Sequence, residues 1–71
     1  MPRRNIRFTK HAIQRRLERD ITEQEIKQTL ENPNYSFSHG GRKVAVRRFA
    51  ERVIRIVYVE EETYIKIITV Y

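Results

Sequence analysis

The chain contains no cysteine, which excludes a disulfide framework, a thiolate metal site and a cysteine nucleophile. Glycine and proline are scarce, two of each. The one glycine pair, Gly40-Gly41, reads as hairpin chemistry rather than a phosphate-cradling loop. No stretch approaches the roughly 20 apolar residues that a membrane-spanning helix needs. The basic N terminus is not followed by the apolar run of a signal peptide. A cytoplasmic protein with no membrane partner is therefore expected. Acids are in deficit, 9 against 15 Lys plus Arg, and fall mainly within residues 23–31 and the run Glu60-Glu61-Glu62. They form no H-E-x-x-H arrangement and no calcium-loop spacing, so neither a metal centre nor another cofactor is expected. Internal repeats and low-complexity tracts are also missing.

What remains is a chain of 71 residues with a hydrophobic fraction of 39%, enough for one core and too short for two. Met1 to Asn5 reads as a mobile basic arm, and residues 6–71 as a single compact domain. Burial in so small a domain must offset an ordering cost of about 1–2 kcal/mol per residue, so homo-oligomerisation is a reasonable expectation. The formal net charge is +6, and eleven of the fifteen cations are arginine, the side chain suited to bidentate phosphate pairing. The first 19 residues hold seven cations and one acid, and residues 40–56 hold six and one. Two such tracts point to an anionic polymer, RNA ahead of DNA. The competing reading is a solvated, ion-paired surface, as in a heat-stable protein.

The periodicity predicts two helices and then strands. Thr9 can cap a first helix, with Phe8 and Ile13 as a hydrophobic staple and Ile13 and Leu17 on its buried face. Thr22 and Glu25 have the spacing of a capping box, with Ile21 and Ile26 as a second staple. That second helix should run from about Glu23 to Glu31, burying Ile26 and Leu30, before Asn32-Pro33 stops it. Its acids make its exposed face an unlikely nucleic-acid surface. From Tyr35 the period becomes two. Strands are expected from Tyr35 to His39, Arg42 to Phe49, Arg52 to Val59 and Tyr64 to Tyr71. The third has apolar residues on both faces, as a central strand does. The expected class is α+β: two N-terminal helices packed on a four-stranded antiparallel sheet. Ile6 and Phe8 either add a short N-terminal strand or anchor the arm.

His11, Arg15 and Arg19, four residues apart, form a second stripe on the first helix. A histidine in the first helical turn sits where a positive charge is disfavoured and an anion is welcome, so His11 is the candidate acid or base. RNA supplies its own 2′-hydroxyl nucleophile. Arginines that stabilise the developing phosphorane charge, with Tyr71 or Tyr58 assisting proton transfer, would then suffice for metal-independent cleavage. The candidate nucleic-acid contacts are Arg15, Arg16, Arg19, Arg47, Arg55 and Lys66, the last three taken to share one sheet face. In the plainer reading His11 hydrogen-bonds a loop, and Arg15 and Arg16 pair with Glu18 or another carboxylate. Three functions follow: a metal-independent endoribonuclease acting on single-stranded or translated RNA, a noncatalytic RNA- or DNA-binding module, and an adaptor that binds proteins through an open β edge.

The segments His11-Ala12-x-x-Arg15-x-x-x-Arg19, Ile21-Thr22-x-x-Glu25-Ile26 and Ile68-Thr69-Val70-Tyr71 resemble a small uncharacterised domain family with an N-terminal HAxxRxxxR motif. That family is similar to the RelE and BrnT types of mRNA-cleaving toxin. The resemblance runs from Phe8 to Tyr71. It implies a RelE-like fold, RNA cleavage, and an antitoxin or the ribosome as partner. It carries His11, Arg15 and Arg19 onto the helical motif, and Thr69 and Tyr71 onto the final strand. The chain departs from the pattern at Ala50-Glu51, where a glycine turn would be expected, and at Arg16.

Overall fold

The structure is a computed structural model, and it describes residues 5–71. The elements run β1 (Asn5–Phe8), α1 (Lys10–Glu18), α2 (Glu23–Glu31), β2 (Tyr35–His39), β3 (Arg42–Arg48), β4 (Val53–Glu60) and β5 (Tyr64–Val70). The class is α+β as expected, but the sheet has five strands and is mixed, in the order β1-β5-β4-β3-β2. The correction comes from β1, which pairs parallel to β5, setting Ile6 opposite Ile65 and Phe8 opposite Ile67. The short N-terminal strand offered by Ile6 and Phe8 thus forms, but an apolar alternation over four residues is too short to say which strand it joins or in which direction. Of the arm expected at residues 1–5, the first four lie outside the described residues, and Asn5 opens β1.

Strand β4 is central, antiparallel to both β3 and β5, as its two-sided apolar pattern requires. One side carries Ile54 and Ile56, at most 1% exposed. These pack with Ile67 and Val70 from β5, Ala12 from α1, and Ile21 and Ile26 from the second helical segment. The other side of the sheet has no helix over it, since both helices lie with the Ile54–Ile56 face.

A β-bulge fixes where α1 docks. Val57 pairs with Thr69 and Tyr58 with Ile67, leaving Ile68 as the extra residue of the bulge. The Thr9 hydroxyl donates to the Ile68 carbonyl at 2.9 Å, and the Thr9 N–H donates to the Ile67 carbonyl at 3.1 Å. The same hydroxyl oxygen accepts from the Ala12 N–H, so one residue caps the helix and ties it to the strand. This tie turns Ala12, fully buried, toward the sheet. It turns the expected apolar face outward: Ile13 is 46% exposed and Leu17 72%. The Ile13–Leu17 stripe is therefore not the core-facing side of α1, because a small residue permits the close helix-to-strand approach that a leucine would block.

At the end of α1, Arg19 is the cap and Asp20 adopts φ 54°, a left-handed conformation tolerated by aspartate better than by most side chains. The Asp20 N–H donates to the Leu17 carbonyl and the Ile21 N–H to the Arg16 carbonyl, the paired bonds of a Schellman turn. Arg16 holds this turn from outside. Its Nε donates to the Ile21 carbonyl at 3.0 Å, and its guanidinium lies over the Phe8 ring and 3.8 Å from Glu23. The capping box of α2 forms as expected, with Thr22 and Glu25 exchanging both bonds.

Candidate nucleic-acid interface

Pairing separates the cations into two groups. Arg15 lies 3.6 Å from Glu18, Lys43 pairs with Glu60, and Arg7 covers the Tyr64 ring. Arg52 is the most heavily used. Its Nη1 donates to the Arg19 carbonyl at 2.6 Å, and its Nη2 donates to the Asp20 carbonyl and the Glu25 carboxylate at 2.9 and 2.7 Å. The guanidinium groups of Arg19 and Arg48 make no hydrogen bond or ion pair among the described residues, and Arg55 only stacks over Tyr71 at 5.6 Å.

Arg19, Arg48 and Arg55 line two adjoining depressions. The first, about 310 Å³, is walled by Glu18, Arg19, Ile21, Arg52, Ile54 and Tyr71, with Val53 at its margin. The second, about 360 Å³, shares Val53 and is formed by Asn34, Tyr35, Val46, Arg48 and Arg55 on the helix-free side of the sheet. The C terminus of α1 overhangs the first because Arg52 holds the Arg19 and Asp20 carbonyls beside the start of β4. Tyr71 lines its edge at the end of the sheet, where its N–H and carbonyl both pair with Arg55, at 2.9 and 2.8 Å. A pair exchanging both bonds puts its side chains on the same face.

Of the residues singled out from sequence, Arg19 and Tyr71 share a depression and Arg55 covers the Tyr71 ring. The others are elsewhere. His11 is exposed in the first turn of α1, about 12 Å along the helix axis from Arg19, and lines neither depression. Arg15 and Arg16 are held by Glu18 and by the α1–α2 turn. Arg47, Arg55 and Lys66 do not share one face. Arg47 pairs opposite Ile54 on the helix side, whereas Arg55 pairs opposite Val46, and Lys66 opposite Val59, on the helix-free side. The register decides this, since neighbours in sequence alternate sides. Arg47 donates from Nη1 to the Asn32 carbonyl at 2.6 Å and lies over Phe49. It closes the C terminus of α2, where a cation is favoured. Tyr58 also faces the helix side, opposite Ile67. Burial first, and Glu60 second, raise its pKa above 10.0.

Sequence reasoning missed Glu18, Asn34, Arg48 and Arg52 as lining residues. Glu18 had a signal, one acid in a basic tract; the others depend on strand register and on the turn at Phe49–Arg52, closed by the Phe49 N–H donating to the Arg52 carbonyl at 2.7 Å.

Arg52, which lines the first depression, is anchored by the Glu25 carboxylate at 2.7 Å. The Thr22 backbone N–H, first, and the Arg52 guanidinium hold the Glu25 carboxyl below its ordinary 4.5, against the opposing pull of burial. A folded value depressed below the unfolded one adds stability that is whole above the unfolded value and lost as pH falls through the folded one. Glu25→Gln should therefore lower stability at neutral pH, and its deficit from wild type should shrink as pH drops below 4.5. Denaturant unfolding of the two proteins along a pH series checks this. A deficit that stays constant into acid removes the ionised carboxylate from the account.

Among the described residues, no group of three or more His, Asp or Glu side chains is placed to hold a metal ion, and no helix is long and apolar enough to cross a membrane. Curated proteins give no match to the chain, and solved structures give none. A family model does match, over residues 8–71, and its description is Domain of unknown function (DUF4258). The match takes in both helices, β2 to β5 and every residue of the two depressions; this chain belongs to the DUF4258 domain family.

Proposed function

We propose that this protein binds RNA across its two adjoining depressions, with the one under the end of α1 as the phosphate site and the other continuing onto the helix-free side of the sheet. The observation that carries this reading is that three arginines with no carboxylate partner among the described residues, Arg19, Arg48 and Arg55, line the two adjoining depressions. A guanidinium free of internal partners keeps all its donors for phosphate. Glu18 is the one acid in the lining of the two depressions, and it lies 3.6 Å from Arg15. The net charge of +6 adds long-range attraction for the polymer.

Each phosphate contact on a single strand contributes about 0.7 to the slope of log affinity against log salt concentration. Arg19→Ala should weaken RNA binding and reduce that slope by about 0.7. Titration of a labelled RNA at several salt concentrations measures both quantities. An unchanged slope in a folded Arg19→Ala protein removes that side chain from the interface. Binding of DNA with equal affinity reassigns the partner to nucleic acid in general.

A second reading, cleavage of the bound strand without a metal, is favoured by Glu18 and Tyr71 lining the same depression as Arg19. In this step the substrate 2′-oxygen attacks phosphorus while its proton passes to the Glu18 carboxylate. The bond from phosphorus to the 5′-oxygen breaks as the Tyr71 phenol donates its proton to the departing oxygen. Arg19 and Arg55 stabilise the added charge on the phosphorane oxygens. The products are a 2′,3′-cyclic phosphate and a 5′-hydroxyl. His11 has no part in this mechanism. The resemblance to RelE- and BrnT-type toxins carries Arg19 and Tyr71 as well as His11; it supports this reading for the first two residues and suggests a RelE-like fold, with translated RNA as one substrate and an antitoxin as protein partner. Incubation in chelator, with and without ribosomes, tests it; intact RNA under both conditions leaves binding alone.

A further inference from the structure

The second depression lies beside the first, and the residues between them form a row across the strands. Tyr71 pairs with Arg55 through two backbone bonds, Arg55 is in register with Val46, and Val46 with Tyr35. Partners in register share a face, so the helix-free side carries a transverse line with a tyrosine at either end and an arginine and a valine between. Strands are spaced by about 4.7–4.9 Å, which puts about 14 Å between the two tyrosine positions. That is several times the roughly 3.4 Å rise of stacked bases. A single strand laid along the row presents more than one nucleotide.

The side chains at the far end suit a base and its phosphate. Tyr35 is 58% exposed on β2, an edge strand, and lines the second depression. Arg48 adds a guanidinium without a partner among the described residues, and no acid lines this depression. The Arg48 N–H donates to Asn34 Oδ1 at 2.5 Å, and the Asn34 N–H to the Val46 carbonyl at 2.8 Å. Those bonds fix the Asn34 amide and leave its NH₂ free to donate to a base carbonyl. An aromatic face beside unpaired guanidinium groups is the combination that holds single-stranded nucleic acid.

From this arrangement we infer that the Asn34–Tyr35–Arg48–Arg55 depression is a nucleotide subsite, taking a base stacked on Tyr35 and a phosphate between Arg48 and Arg55. The ligand class is therefore single-stranded RNA that spans both depressions. The inference rests on the RNA-binding reading above and adds its strandedness, minimum length and a second binding position. A duplex, whose bases are already stacked and paired, cannot offer a base to Tyr35.

The test is a fluorescence titration of wild-type protein, Tyr35→Ala, Arg48→Ala and Arg19→Ala with single-stranded RNA from a dinucleotide upward, and with a blunt duplex. Tyr35 and Arg48 are exposed, and circular dichroism confirms that each variant folds. Longer strands are expected to bind wild type more tightly than the dinucleotide. Tyr35→Ala and Arg48→Ala should each lose about 5- to 150-fold of affinity for the longer strands and keep dinucleotide binding, whereas Arg19→Ala should weaken both. Wild-type affinity for long strands in folded Tyr35→Ala and Arg48→Ala overturns the second subsite and leaves RNA binding at the first intact. A duplex bound as tightly as the single strand overturns the strandedness. If wild type binds no RNA, the parent reading fails as well; Tyr35-dependent binding of polyglutamate would then assign the face to an acidic protein segment.

Discussion

Ile67→Ala is expected to destabilise the fold by about 2–5 kcal/mol, the range for emptying a buried large aliphatic site. Ile67 is fully buried and sits where three elements meet: opposite Phe8 of β1, opposite Tyr58 of β4, and directly below the Thr9 tie that docks α1. No neighbour can collapse into the vacancy without moving β1 or the helix start, which places the change toward the upper part of that range. The companion substitution is Leu17→Ala, equally apolar by sequence but 72% exposed, for which a change within about 0.5 kcal/mol is expected. Urea unfolding of both variants measures the contrast. A large loss at Leu17 would mean that this face of α1 is covered by another copy of the chain, whereas a small loss at Ile67 would contradict the placement of β1 beside β5.

If the bound strand is cleaved, Tyr71→Phe should slow the reaction by about 10²–10⁴-fold, the usual worth of one positioned acid or base. Binding should be unchanged, because the ring remains available to Arg55. Glu18→Gln should produce a loss of similar size by removing the proton acceptor from the other wall. His11→Ala should retain wild-type cleavage and affinity, since that imidazole lies outside both depressions. Single-turnover cleavage in chelator, with the product ends identified, separates these outcomes. Wild-type rates in Tyr71→Phe would end its role as the acid. A rate lost in His11→Ala and kept in Tyr71→Phe would move the chemistry to the start of α1.

Residues and spacings alone fixed the local parts of this protein. Thr22 and Glu25 close a capping box whatever packs on it, since both partners lie within one helical turn, and β2 to β5 follow from period-two alternation with Gly40-Gly41 at the first hairpin. The arginine excess is likewise a property of composition, and the expectation of an anionic partner rests on it. Tertiary structure decided what depends on partners distant in the chain. Thr9 binding the bulged Ile68, a contact across 59 residues, rotated α1 so that Ala12 went in and Leu17 out. Register put Arg47 and Arg55 on opposite faces. Arg52 reached 32 residues back to bring the end of α1 beside Tyr71. Each of these is a choice between faces of an element that is apolar or basic on both, and a local pattern carries no preference there; the neighbouring strand or helix supplies it.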